Sequence, residues 1–216
     1  MQKKQELRRK RTDREASATA IVNAALTLFL QKGYRAATTD EIATQAKVSK
    51  QTIYRNFPDK AALFNTLVRE SIDRAQSFLK DTAATFSEAE DLGAALRAIA
   101  LGYLDTVFSP HVLQLRRLII GEAQHFPELA QYYYREVPGR TLDTLAEDFK
   151  ILSKRGLLRV RNAQSAARHF AALLIMLPLD RAMFGVVTSR SEMEQQALEG
   201  IDAFLSAYGI EAPGTK

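Results

Sequence analysis

Residues 38–60 read TTDEIATQAKVSKQTIYRNFPDK, a stretch dense in helix starts and stops. Thr38 and Glu41 have the spacing of a capping box, and Asp40 and Glu41 suit the positive end of a helix dipole. Ile42, Ala43 and Ala46 then point one way. A second start follows at once, because Ser49 is an N-cap candidate and Val48 and Ile53 have the spacing of a hydrophobic staple. Pro58 stops this second helix and biases Phe57 away from helical dihedrals. Asp59 caps a third start at Lys60, with Phe64, Leu67 and Val68 behind it.

Upstream, Ser17–Lys32 carries Val22, Ala25, Leu26 and Phe29 at i, i+3, i+4 and i+7, one apolar helix face, and Gly33 is placed to end it. Two short helices joined by a turn and packed on a preceding amphipathic helix make a helix-turn-helix. In that motif the second helix enters the major groove with its first residues at the base edges. The residues between Ser49 and Phe57 suit the task. Lys50 and Arg55 donate, Gln51 and Asn56 can pair in bidentate fashion, Thr52 offers a hydroxyl and a methyl, and Tyr54 has a hydroxyl for phosphate.

Over Ile21–Val68 the chain resembles the DNA-binding domain of TetR/AcrR regulators. Ala25, Phe29, Gly33-Tyr34, Thr38-Thr39, Ile42-Ala43, Val48-Ser49, Thr52-Ile53-Tyr54, Phe57, Lys60 and Leu63 carry the resemblance. It implies that Thr39, Tyr54 and Lys60 hold phosphates, while Lys50, Gln51, Thr52 and Arg55 face bases or nearby backbone. Asn56 stands where that family often has histidine, and the capping Thr38 and Ser49 complete the candidate DNA-facing set. Lys47 lies in the turn where the family usually has glycine, so a left-handed conformation there would cost roughly 1–2 kcal/mol.

Charge agrees with a polyanion partner. The net +5 of the chain is unevenly spread: residues 1–60 hold 13 Lys+Arg against 6 Asp+Glu, and residues 61–216 hold 17 against 19. Phosphate contacts from such a basic module supply sequence-independent affinity. The run Lys3, Lys4, Arg8, Arg9, Lys10, Arg11 is a further candidate for phosphate or minor-groove contact, although a solvated tail accounts for it equally.

Beyond residue 60 the helical period continues with no alternating strand pattern and no hairpin dipeptide. Punctuation places helices near 60–81, 88–107, 110–124, 127–135, 138–155, 163–185 and 191–208. The expected fold is all-α: a basic arm (1–14), a three-helix helix-turn-helix domain (15–60) and a helical effector-binding and dimerisation domain (61–216). Leu115–Val160 resembles a subgroup of AcrR-like C-terminal domains through Arg116-Arg117-Leu118, Glu122-Ala123, Phe126-Pro127-Glu128-Leu129 and Gly156-Leu157-Leu158. That likeness implies an effector pocket among the middle helices, with Tyr103, Phe108, Arg117, Glu122, Phe126, Phe149 and Phe170 as candidates. It also implies a dimer interface on the last two helices, with Leu173, Leu174, Leu177, Ile201, Phe204 and Leu205. Core packing is the commoner fate of any one such side chain.

Other classes find little support. The chain has no cysteine and three scattered histidines, of which only His125 shares a helix face with an acid, Glu122. No metal or cofactor is expected. Phosphate loops and nucleophile elbows are absent, so the chain is read as no enzyme. The longest uncharged apolar run, Phe170–Leu177, is far short of a membrane span, and a charged N-terminus argues against a secretory signal. A cytoplasmic homodimeric repressor, binding a palindromic operator and released by a small molecule, is therefore expected. An architectural DNA-binding protein without an effector is the alternative.

Overall fold

The computed structural model describes residues 2–87 and 91–210, with side chains described from Arg14 onward except Arg74 and residues 76–90. The described residues are helical apart from short connections and one isolated antiparallel pair, Leu158 with Gly209. The helices are α1 (Gln2–Ala36), α2 (Thr39–Ala46), α3 (Lys50–Asn56), α4 (Lys60–Ser87), α5 (Leu92–Val107), α6 (Pro110–Gly121), α7 (Pro127–Tyr134), α8 (Arg140–Lys154), α9 (Ala163–Ala171), α10 (Leu177–Met183) and α11 (Arg190–Tyr208). The all-α expectation holds.

Contacts divide the chain into two compact units, Met1–Asp73 with Leu118–Tyr133, and Arg74–Arg117 with Tyr134–Lys216. The unit around the helix-turn-helix therefore reaches past residue 60. It takes in the first half of α4, and it takes in the α6–α7 corner because the Phe126 ring packs edge-on against Tyr34 and tilted against Phe64.

The first unit is built around Ile21, Ala25, Phe29, Ile42, Ile53, Leu63, Phe64 and Leu67, all nearly free of solvent contact. Helix α1 differs from expectation at both ends. Its backbone is already helical at Gln2, although the side chains of the basic run up to Arg11 lie outside the described residues. Gly33 does interrupt it, at φ 81°, a conformation that costs glycine nothing, but one more turn runs on to Ala36.

In the second unit the core is centred on Phe149, Phe170 and Phe204, whose rings meet at 5.0–5.5 Å. Leu96, Ile99, Leu145, Leu152 and Ile201 close around them. Helix α11 approaches closely through Gly200, where a Cβ would sit 2.9 Å from the carbonyl oxygen of Leu173. Pro138, expected to separate two helices, instead lies in a continuous one, and Pro178 lies within the helical run expected over 163–185. Pro138 falls in a π-helical turn, Arg135–Gly139, that joins α7 to α8, and a second such turn, Ala172–Met176, precedes Pro178 between α9 and α10. A wider turn lets the chain absorb the missing proline N–H without ending the helix.

Candidate nucleic-acid interface

Helix α2 begins as its sequence dictates. The Thr38 hydroxyl accepts from the Glu41 N–H at 3.2 Å, and the Glu41 carboxylate accepts from the Thr38 N–H at 3.0 Å. Lys32 adds an ion pair at 2.5 Å, and these bonds, the lysine's foremost, hold the exposed Glu41 carboxyl down to about 2. The helix ends with the Val48 N–H reaching back to Ala43 at 3.0 Å, which puts Lys47 in the left-handed region at φ 56°. Glycine is the usual occupant of this position. Lys47 thus adopts the left-handed conformation that carries a cost for a non-glycine residue.

Ser49 then caps α3, accepting from the Thr52 N–H at 3.1 Å, with the two hydroxyls 2.8 Å apart. Ile53 and Phe57 turn inward, which leaves Lys50, Gln51, Tyr54 and Arg55 exposed. Positions i, i+1, i+4 and i+5 share one helical face. Neither the Gln51 amide nor the Arg55 guanidinium has a hydrogen bond or ion pair with the described residues. Lys50 is braced to Asp40 of α2 at 2.8 Å, and the hydrogen bond to that carboxylate raises the lysine pKa. The Tyr54 hydroxyl lies 3.4 Å from that of Thr39, so two hydroxyls from different helices sit side by side.

Asn56 is committed inward, donating to the Thr52 carbonyl at 2.8 Å and accepting from Arg14 Nε at 3.3 Å. Arg14 also reaches the Arg55 carbonyl at 3.4 Å, a tie between α1 and the end of α3 that no local sequence pattern announces. Lys60 is the sharpest departure among the phosphate candidates. Its ammonium donates to the carbonyls of Tyr34 (2.9 Å), Arg35 (3.3 Å) and Ala37 (2.9 Å), and stands 4.5 Å from the centre of the Tyr34 ring. All three of its protons are engaged, so its geometry is that of a clamp on the end of α1.

The effector candidates fall in two groups. Tyr103, Phe108, Phe149 and Phe170 belong to the core of the second unit. Arg117, in the same unit, donates through Nη2 to the Ala182 carbonyl at 2.6 Å. Phe126 and Glu122 lie in the first unit, where Glu122 has one buried carboxylate oxygen without a hydrogen bond, 3.7 Å from His125 Nδ1. His125 also meets Arg35. Among the described residues no three acids or histidines gather as a metal site.

The interface candidates also divide. Leu174, Ile201 and Phe204 are buried within the single chain and Leu205 packs against the same core, whereas Leu173 and Leu177 are exposed. The sequence reading missed Met176, 63% exposed, and Phe184, 81% exposed. Their spacing from Leu173 and Leu177 could have revealed them. No single helix among the described residues is long and apolar enough to cross a membrane.

A capped helix pair presenting a polar, basic second helix defines a helix-turn-helix DNA-binding protein. Residues 21–67 match the model of the bacterial regulatory proteins of the tetR family, and residues 94–210 match that of the AefR-like transcriptional repressor C-terminal domain. The chain belongs to the TetR family, whose members are transcriptional regulators. It is similar to a crystal structure of a TetR-family regulator from Mesorhizobium loti, at TM-score 0.85 and 32% identity over 91% of this chain and 98% of that one. The flavonoid-responsive regulator FrrA gives TM-score 0.72 at 29% identity, over 91% and 98% of the two chains. The transcriptional activator FasR of Mycolicibacterium smegmatis is 27% identical over 90% of this chain and 83% of its own.

Proposed function

We propose that this chain is a cytoplasmic, homodimeric repressor that reads a pseudo-palindromic operator and lets it go when a small molecule enters the second unit. The observation that carries the reading is the α3 face: Gln51 and Arg55 are exposed and unengaged, and the Thr39 and Tyr54 hydroxyls stand paired beside them. A bidentate amide and a guanidinium are the donors that major-groove edges select. The paired hydroxyls suit a phosphate oxygen, and Lys50 adds charge.

Dimerisation is supported by the exposed row Leu173, Met176, Leu177 and Phe184, apolar surface that a lone soluble chain seldom leaves uncovered. A two-fold dimer presents two α3 helices to successive major grooves, about 34–36 Å apart or somewhat more. Helix α4 is the natural lever between effector and operator, because it begins in the first unit and continues into the second. A repressor is favoured over an activator by the AefR-like match, and a ligand by the FrrA likeness.

Selection of bound duplexes from a random pool, followed by footprinting, tests the reading. The expected outcome is a two-fold symmetric site, strongly preferred over random competitor DNA. Gln51→Ala should relax discrimination at one base pair of each half-site by roughly 1–3 kcal/mol while leaving the salt slope nearly unchanged. Binding that random DNA competes away equally would favour an architectural protein instead.

A further inference from the structure

The second unit carries a charge that its own residues do not answer. Asp148 sits on α8 among Leu145, Phe149 and Leu152 of the aromatic core, and only 7% of it is exposed. It makes no hydrogen bond or ion pair with the described residues. Carboxylates removed from water are ordinarily paired, because the unpaired charge is costly. Tyr103 on α5 lies close enough for its hydroxyl to feel the charge of the Asp148 carboxylate and the neighbouring hydroxyl of Thr141, two turns before Asp148 on α8. Tyr103 and Thr141 are half-buried, and the Asp148 oxygens are not among the wholly buried unpartnered atoms, so its carboxylate keeps some access to solvent. The other buried acid of the same unit is satisfied: Glu136 is held by Arg135 at 3.1 Å and Arg140 at 2.6 Å.

We infer that Asp148, with Tyr103 and Thr141 beside it, is the recognition point for a cationic effector, an apolar molecule carrying a protonated amine. The inference rests on the effector reading above and names its chemistry. The ammonium would pair with the Asp148 carboxylate, the Tyr103 and Thr141 hydroxyls would take its remaining protons, and the apolar frame would lie against the aromatic core. An anionic or neutral isostere would leave the carboxylate buried and unanswered. That asymmetry is the source of selectivity, since a site built for a charged donor rejects an analogue lacking it.

The test uses the full-length protein and ω-phenylalkylamines of two to six carbons, each beside the alcohol and carboxylate of matching length. Calorimetric titration at pH 7.5 should find the best amine bound at least about tenfold more tightly than its alcohol, with the carboxylate weakest. Asp148→Asn should bring amine and alcohol within about twofold of each other while the alcohol keeps its wild-type affinity. Equal binding of amine and alcohol by the wild type, no amine binding, or an amine preference that survives Asp148→Asn would each overturn the inference. The wild-type comparison is decisive even if the variant does not fold. Operator anisotropy in the same samples separates the two readings. Amines that bind through Asp148 without releasing DNA leave this site standing and remove the effector role, whereas release by ligands indifferent to Asp148 does the reverse.

Discussion

The helix-turn-helix and the body behind it handle their polar groups in opposite ways. Between Thr38 and Lys60 nearly every polar group that does not face outward is answered by a neighbour within a few residues: Thr38 by Glu41, Ser49 by Thr52, Asn56 by the Thr52 carbonyl. The body buries aromatic rings brought together from α8, α9 and α11, and beside them the Asp148 carboxylate has no hydrogen-bond or ion-pair partner among the described residues. A region whose bonds are short in sequence can be rigid while small. The body needs its whole chain to make a core.

The largest expected effect strikes the body. Phe204→Ala removes a ring in contact with Phe149, Phe170 and Tyr208 and should cost roughly 3–5 kcal/mol of stability in denaturant unfolding. If the helix-turn-helix is the locally determined part, amide exchange in α2 and α3 should change far less than in α8 and α11.

Lys60→Ala probes a long tie inside the helix-turn-helix unit. Three carbonyls at the end of α1 lose their cationic donor, and stability should fall by about 2–3 kcal/mol. The dependence of DNA affinity on salt should stay unchanged. A salt slope shallower by about 1 would instead make Lys60 a phosphate ligand.

Asp148→Asn should act with the opposite sign. Burial, and then repulsion from Glu147, pushes the Asp148 carboxyl up to about 6. The folded chain therefore holds this proton more tightly than the unfolded chain, whose carboxyl titrates near 4. Stability contributed by the protonated form is lost as pH rises from about 4 through 6. The asparagine variant should be more stable than wild type by roughly 1–2 kcal/mol at pH 8 and nearly equal to it at pH 4, in the difference between their melting curves.

The smallest effect returns to the turn. Lys47→Gly should stabilise by about 1 kcal/mol in chemical denaturation, because glycine adopts the left-handed dihedrals of that position without a Cβ penalty. A neutral result would mean that the lysine side chain offsets the strain through a contact of its own.

The same division decided what the sequence could disclose. Thr38, Ser49 and Asp59 announced three helix starts because each cap bonds a group three residues away, and all three caps are present. The exposed face of α3 followed from helical period alone. Lys60 was legible as a basic residue at the right place, but its three carbonyl partners lie 23–26 residues upstream and leave no local pattern. Pro138 read as punctuation, whereas a π-turn carries the helix through it, an adjustment that depends on packing around the turn. Asp148 drew no notice, since an acid on an amphipathic helix ordinarily faces water.

The ring cluster around Tyr34 also gives the molecule an optical signature. The chain has no tryptophan and seven tyrosines, so its ultraviolet absorption and emission are tyrosine signals. Tyr34 is set among Phe29, Phe64 and Phe126 beneath the Lys60 ammonium. Burial above all, with the nearby charges of Asp59 and Glu122, raises its phenol pKa. In an alkaline spectral titration its phenolate band would therefore appear later than that of an ordinary tyrosine. With Tyr103, whose pKa burial also raises, replaced by phenylalanine, the late component is a built-in dye at the place where the α6–α7 corner meets the helix-turn-helix.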